Sequence, residues 1–196
     1  MVRKAWLFIF TFFVCSASQA QPKDFVRKGL LRASATVSQG LFFRNKVQPL
    51  YVHMNLDYQL ERRVSFRCDI NMLVAFQDDR KIFQHHHQAL AGIAYHFSSK
   101  RFDPYMAVQP GVSLTKLNKT LLGEELPPGD EGLEVNPLIS ASGGFNYYIG
   151  NFMHVAVNSR FNFGSHKMTN ENLPLNEFQF SVGLGWNLRF RQNNPV

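Results

Sequence analysis

The sequence predicts an all-β chain that folds as an eight-stranded antiparallel up-and-down transmembrane β-barrel. Three observations support this fold class. Segments that alternate apolar and polar residues recur along the chain, and long connections between them alternate with short ones. Most of the segments run for about ten to thirteen residues, whereas strands of soluble proteins commonly have five or six. An even number of long strands with short turns at one rim and long loops at the other is typical of membrane-spanning barrels.

The first twenty residues have the features of a secretory signal peptide. A positively charged start is followed by an apolar run over residues 5–14 and by the small-x-small cleavage site Ser18-Gln19-Ala20. The apolar run is too short for a transmembrane helix. We therefore expect residues 1–20 to be a signal peptide and residues 21–196 to form one outer-membrane β-barrel domain.

Eight segments alternate with a period of two, which places one set of side chains on each face of a strand. They span residues 29–41, 50–60, 64–76, 88–97, 105–115, 138–149, 153–163 and 178–190. The last segment is the clearest, because every second residue from Phe178 to Phe190 is apolar. Pro110 weakens the fifth segment, since proline cannot donate to the hydrogen-bond ladder.

The connections and the aromatic residues give the predicted barrel an orientation. The longest connection, residues 116–137, lies at the long-loop rim, and the layout puts both termini on the periplasmic side. Aromatic belts are expected at both rims, where rings lie at the headgroup levels. The short-turn belt comprises Tyr58, Phe66, Tyr95, Phe97, Phe102, Tyr105, Tyr147, Phe152, Trp186 and Phe190. The long-loop belt comprises Phe42, Phe43, Phe76, Phe83, Phe161, Phe163, Phe178 and Phe180.

In a membrane barrel the apolar faces contact lipid, so the polar faces form the interior. An eight-stranded barrel is just wide enough for side chains to fill its lumen, and buried charges there have to be paired. If residues 61–63 form the loop of a hairpin, Asp57 lies opposite Arg67, and Asn55 lies opposite Asp69. The sequence thus predicts an interior polar network and no open pore. The predicted network consists of Arg32, Asp57, Arg67, Asp69, Arg160 and Arg189.

Composition and cysteine content exclude some classes of function. The formal net charge is +7, but the basic residues are spread along the chain without a dense run. Nucleic acid is not an expected partner of such a secreted chain. Cys68 is the only cysteine that remains beyond the expected cleavage site, so the fold does not depend on an internal disulfide.

The end of the last segment carries the most specific motif. Gly185-x-x-Leu188-x-Phe190 is similar to the terminal signal that the barrel-assembly machinery reads. The alternating pattern extends over nearly the whole chain beyond residue 20. In this pattern and in the terminal motif the chain resembles the small outer-membrane β-barrel proteins, the group around the membrane domain of OmpA, OmpX and OmpW. The resemblance implies an outer-membrane location, the barrel-assembly machinery as a partner, and contact with outer-membrane lipid and lipopolysaccharide. It implies a structural or surface-interaction role: membrane integrity, adhesion or ligand binding through the long extracellular loops.

Two other classes of function fit parts of the sequence. Some eight-stranded barrels are enzymes that modify lipid A, and deacylases among them use a His-x-Ser pair; His96-Phe97-Ser98 has this spacing. In the predicted register His96 points inward and lies at the periplasmic rim, whereas lipid A lies in the outer leaflet. We therefore expect no enzyme activity. A soluble secreted barrel of the lipocalin type is the second alternative, with apolar side chains inside around a ligand.

Two polar clusters remain. His85-His86-His87 could bind a transition metal, but adjacent residues on a strand alternate faces and cannot all reach one ion. We therefore expect no metal and no cofactor. The longest connection is acidic and is expected to be solvated, with an extracellular partner or divalent cations as an alternative use. Its acidic residues are Glu124, Glu125, Asp130, Glu131 and Glu134.

Overall fold

A computed structural model describes eight parts of the chain. They are residues 25–44, 46–76, 82–98, 100–118, 120–121, 124–125, 132–167 and 172–189. Within these parts the chain is all-β, and a search of them for a helix long and apolar enough to cross a membrane finds none. The expected signal peptide, residues 1–20, and Phe190 lie outside the described residues.

Eight long strands form the wall. They are β1 (Leu30–Phe42), β2 (Pro49–Gln59), β3 (Val64–Phe76), β4 (Phe83–His96), β5 (Phe102–Leu117), β6 (Glu134–Tyr148), β7 (Met153–His166) and β8 (Glu177–Arg189). Three two-residue strands lie outside this series. Thr120–Leu121 pairs with Glu124–Glu125, and Leu173–Pro174 extends the edge of β7.

The strands close into an antiparallel barrel in which strands that follow each other in the sequence are paired. The ring is completed by β1 and β8, whose register runs from Leu30 opposite Arg189 to Phe42 opposite Glu177. Between β2 and β3, Asp57 lies opposite Arg67, as the turn over residues 61–63 predicts. The predicted eight-stranded up-and-down barrel is therefore confirmed.

The two faces of the wall have opposite polarity. Outward positions carry large apolar side chains, for example Val37, which is 61% exposed, and Val182 beside it on β8. Inward positions carry buried polar and charged side chains. This is the reverse of a lipocalin-type barrel, whose interior is apolar around a ligand. The soluble alternative is inconsistent with this arrangement. If the present barrel were soluble, its apolar outer face would be exposed to water.

Several strands extend beyond their predicted ends toward the long-loop rim. The largest difference is in β4, which begins at Phe83 instead of residue 88, so the connection predicted over residues 77–87 covers only residues 77–82. The cause is an irregularity in its pairing with β5 between Phe83 and His85. An extra residue shifts the in–out alternation by one, and the period-two pattern breaks at the point where the strand begins.

The aromatic belts are partly as predicted. Tyr58, Trp186 and most other members face outward. Phe42, Phe83 and Tyr105 were wrongly assigned to the belts: all three are almost completely buried inside the barrel. Phe42 and Phe83 pack on each other at the long-loop end, with ring centroids 5.4 Å apart.

Candidate functional site

The lumen near the short turns is centred on Arg32. Its guanidinium forms ion pairs with Asp57 at 3.0 Å and with Asp103 at 2.9 Å, and it donates to the hydroxyl of Tyr148 at 2.8 Å. His96 lies against the same group, with Nδ1 3.0 Å from the carboxylate of Asp103. These five side chains come from five different strands, so their contacts tie together opposite sides of the wall.

A second cluster surrounds Asp69 farther along the lumen. Its carboxylate pairs with the Nε of Arg67 at 3.0 Å, with the Nη2 of Arg160 at 3.0 Å and with the Nε2 of His53 at 2.6 Å. The side-chain amide of Gln109 also donates to it. The side chains of Asp69, Arg67, Arg160 and His53 are 2% exposed or less. Because these side chains are shielded from solvent, removal of one partner leaves a buried charge without compensation.

A third cluster lies near the long loops and is held by neutral donors. The carboxylate of Glu177 accepts hydrogen bonds from the Tyr51 hydroxyl at 2.8 Å, from the Gln88 amide at 3.0 Å and from the Gln179 amide at 2.8 Å. The hydroxyl of Tyr51 also lies 2.8 Å from the Nδ1 of His86. Because that hydroxyl donates its one proton to Glu177, His86 Nδ1 is the donor in the second bond.

Gly185 makes room for a buried hydroxyl–imidazole–amide chain. The Oγ of Ser34 lies 3.0 Å from the Nε2 of His154, whose Nδ1 lies 2.8 Å from the Oδ1 of Asn187. A Cβ on Gly185 would overlap the ring of His154. The order of groups is that of a nucleophile, a base and an orienting residue, but Ser34 is only 6% exposed and faces the lumen. Lipid at the outer face of the wall cannot contact it there.

The spacing His96-x-Ser98 does not produce a catalytic pair. The Oγ of Ser98 accepts the backbone N–H of Lys100 at 3.1 Å. His96 is turned inward, where it bonds to Asp103 and lies 3.0 Å from the Oγ of Ser65. The residues that suggested a lipid A deacylase are thus occupied by other contacts.

The three consecutive histidines lie within β4 rather than at its junction with a loop. His86 is buried in the lumen, whereas His85 and His87 lie on the outer face with ring centroids 5.9 Å apart. Among the described residues no group of three or more His, Cys, Asp or Glu is arranged to hold a metal ion.

An apolar cluster closes the interior at the long-loop end, above Glu177. It is formed by Phe42, Val47, Ile82, Phe83, Leu90, Leu117, Leu138, Leu173 and Leu175. This apolar cap was not predicted from the sequence. Val47, Leu173 and Leu175 belong to connections between the long strands, where no period-two pattern reveals an inward face.

The wall is split beside this cap, between β3 and β4. Their pairing ends at Met72 opposite His87. Beyond that point residues 73–76 pair only with β2, and residues 83–86 pair only with β5. The split holds a cavity of about 380 Å³. It is lined by Leu73, Val74, Ala75, Phe76, Phe83, Gln84 and Asn118.

Five of the six residues predicted for the interior network lie inside the barrel. Arg32, Asp57, Arg67, Asp69 and Arg160 are all buried in the lumen. In the segment predicted as an assembly signal, Gly185 faces inward and Leu188 faces outward. Arg189 is paired with Leu30, but its side chain lies outside the described part of the structure, as does all of Phe190.

Sequence reasoning missed two acidic residues of the lumen, Asp103 and Glu177. Asp103 was read as part of the connection before the fifth strand, whereas β5 begins at Phe102. A signal was present, because Asp103, Tyr105 and Gln109 share one phase of the alternation. Extending that phase toward the turn would have placed Asp103 in the lumen.

The fold is that of a small eight-stranded β-barrel like those of known outer-membrane proteins, and the resemblance drawn from the sequence is confirmed at the level of fold. The N-terminal barrel domain of Pseudomonas aeruginosa OprF is 13% identical, with a TM-score of 0.57 over 82% of this chain and 98% of that domain. Neisserial surface protein A is 12% identical, with a TM-score of 0.59 over 82% of this chain and 96% of its own. Ail, the attachment invasion locus protein of Yersinia pestis, is 9% identical, with a TM-score of 0.51 over 82% and 99%.

No protein-family model matches the chain, and no curated protein matches its sequence. At identities this low the likeness extends to the fold alone. The role of the protein must therefore be argued from its own residues.

Proposed function

We propose that this protein spans the bacterial outer membrane as a barrel without a through-pore. Its role is structural or surface-interactive: it contributes to membrane integrity, adhesion or ligand binding through the loops of the long-loop rim. The observation that carries the proposal is the reversed polarity of the wall, with an apolar outer face around an ion-paired lumen. A lumen crossed by Arg32 and Arg160 leaves no continuous water path of the kind that larger barrels enclose.

In the proposed orientation the short turns and both termini are periplasmic, and the long loops are extracellular. Outer-membrane lipid and lipopolysaccharide surround the wall, and the barrel-assembly machinery recognises the terminal strand through Gly185, Leu188 and Phe190. The acidic connection between β5 and β6 is the surface offered to an extracellular partner. The buried position of Ser34, and the hydrogen bonds of His96 to Asp103 and of Ser98 to Lys100, favour a protein that is not an enzyme.

Two glycines provide a matched test of this orientation. Gly132 lies in the connection before β6 and Gly150 in the turn before β7, and a side chain at either position would meet open space. In a Cys68→Ser background, Gly132→Cys should react with a membrane-impermeant maleimide on intact cells. Gly150→Cys should react only after the outer membrane is permeabilised. The reverse pattern would show that the barrel is inverted, and recovery in the soluble fraction without detergent would remove the proposal altogether.

The absence of a through-pore is tested separately in planar bilayers. We expect the wild type to produce no steady single-channel currents. Sustained ion-conducting openings of the wild-type protein would contradict a filled lumen, even if the topology were correct.

The split between β3 and β4 favours a second candidate function, the binding of a small apolar ligand under the cap. Phe83 belongs both to the split and to the apolar cap, so the outer surface and the apolar interior meet at this residue. A fatty acid that carries a diazirine can test the idea by photolabelling in vesicles. Labelling of Leu117 or Leu138, which face the interior, would support entry, whereas labelling confined to outward residues such as Val74 would exclude it.

A further inference from the structure

The rim of the short turns carries a ring of basic side chains. The ring consists of Arg27, Lys28, Arg62, Arg63, Lys100 and Arg101. All are exposed except Arg101, which is half-buried. Among the described residues of this rim, Glu61 is the one exposed acidic side chain. Although the basic residues are scattered in the sequence, the barrel brings three separate segments of the chain to the same edge.

Among the described residues of this rim, six basic side chains stand against one exposed acidic side chain. Glu61 pairs with Lys28 at 3.0 Å, and the two side chains are 67% and 61% exposed. An ion pair so exposed is weak. The described residues of the rim therefore carry a net positive charge at its exposed surface.

The basic ring lies directly against the aromatic belt of the same rim. The Nη1 of Arg63 donates to the hydroxyl of Tyr95 at 3.2 Å. The guanidinium of Arg101 lies 5.7 Å from the ring centroid of Tyr147, and it donates to the carbonyl of Tyr148 at 3.0 Å. Because belt aromatics sit at the level of the lipid headgroups, the charges beside them lie at the level of headgroup phosphates.

The opposite rim has a different charge pattern. Its longest connection contains Glu124, Glu125, Asp130 and Glu131, and β6 begins at Glu134. The connections of that rim also contain Arg44, Lys46, Arg80, Lys81, Lys119 and Lys167, so basic and acidic residues are nearly balanced there. The excess of positive charge at the short-turn rim favours anionic lipids on that side, because basic groups next to a bilayer attract them within about a Debye length.

We infer that the basic ring binds the headgroups of anionic phospholipids in the leaflet that faces the short turns. Arginine guanidinium groups match phosphate oxygens in geometry as well as charge, and lysine adds a point charge. The inference rests on the proposed function, since the ring reaches headgroups only if the barrel spans a membrane. In the proposed orientation this leaflet is periplasmic, so the occupant is a phospholipid such as phosphatidylglycerol and not lipopolysaccharide.

Spin-labelled lipids measure this preference without regard to the direction of insertion. The processed protein purified from membranes is reconstituted into phosphatidylcholine vesicles that contain spin-labelled phosphatidylglycerol or spin-labelled phosphatidylcholine. The motionally restricted fraction then gives the relative association with the barrel. We expect the wild type to prefer phosphatidylglycerol by about two- to fourfold at low salt, and this preference should shrink when the salt is raised to about 0.5 M.

Variants locate the preference on the ring. Arg62→Gln/Arg63→Gln/Lys100→Gln should bring the two lipids close to equal association. The matched control at the other rim, Arg44→Gln/Lys46→Gln/Lys167→Gln, should keep the wild-type ratio. If the triple variant does not fold, Lys100→Gln alone should lower the ratio measurably.

Two results would overturn the inference. A wild-type ratio near one, or a ratio that falls only in the control variant, would show that the ring does not bind anionic headgroups while the barrel still spans the membrane. Absence of any restricted lipid component in any vesicle is a different result, because it would remove the proposed membrane-spanning function and the inference together.

Discussion

Arg32 on β1 forms an ion pair across the lumen with Asp103 on β5, with Nη1 2.9 Å from Oδ2. The two strands stand four positions apart in a ring of eight, and the two side chains are 1% and 0% exposed. Side chains can meet in this way only in a barrel narrow enough for its interior to be filled. The interior is therefore the packed core of the protein, made of charges and amides in place of aliphatic side chains.

The first prediction concerns this core. Arg32→Met leaves the carboxylates of Asp57 and Asp103 buried without their guanidinium partner. We expect the free energy of unfolding in vesicles, measured in urea, to fall by about 3–5 kcal/mol. The exposed control Lys100→Met should change it by about 0.5 kcal/mol or less.

A neutral variant separates lost charge pairing from lost packing. Arg32→Met/Asp57→Asn/Asp103→Asn removes all three charges, so it should recover much of the stability that Arg32→Met loses. If Arg32→Met is no less stable than the Lys100→Met control, the cluster is not an essential part of the core.

The second prediction uses two adjacent glycines on β6 that face opposite sides of the wall. A Cβ on Gly144 would overlap the carbonyl oxygen of Val157 on β7, whereas a Cβ on Gly143 would lie 3.6 Å from its nearest neighbour, the carbonyl oxygen of Tyr105. Gly144→Ala should therefore destabilise the barrel by about 1–3 kcal/mol, because backbone has to move. Gly143→Ala should be close to neutral in the same urea titration. Equal effects at the two positions would contradict the inward placement of Gly144.

The third prediction concerns the outer face. Val182 lies in the middle of β8, and Val135 lies near the loop end of β6; both are exposed on the outside. Val182→Arg should cost about 2–4 kcal/mol of folding stability in a bilayer, whereas Val135→Arg near the interface should cost about 0–1 kcal/mol. Similar, small costs at both depths would mean that the outer face does not contact hydrocarbon.

The alternation along each strand allowed the fold to be predicted, because it directly reports which side chains share a face. The short turns completed the inference: the hairpin over residues 61–63 was enough to place Asp57 opposite Arg67. Both features depend on residues close together in the chain, so they can be recognised in a single sequence.

What the sequence did not reveal depends on departures from this local pattern. The irregularity between Phe83 and His85 shifts the in–out alternation at the start of β4. The first residues of this strand therefore do not match the period-two pattern. Phe42 and Phe83 look like belt residues in sequence, but they are buried in an apolar cluster with Val47, Leu173 and Leu175. Contacts between distant strands, such as that of Asp103 with Arg32, depend on the closure of the barrel and not on spacing along the chain.

The most direct measurement of the central claim is a scan of β8 by site-directed spin labelling. In a Cys68→Ser background, single cysteines from position 179 to position 188 are labelled, and the protein is reconstituted into vesicles. Labels at the outward positions of Phe180, Val182, Leu184 and Trp186 should be highly accessible to oxygen dissolved in the bilayer. Labels at the inward positions of Gln179, Ser181 and Asn187 should be shielded both from oxygen and from a water-soluble relaxant. A period of two with this phase is the predicted result, whereas the opposite phase, or access of the water-soluble relaxant to the outward set, would contradict a membrane-spanning barrel with a filled polar lumen.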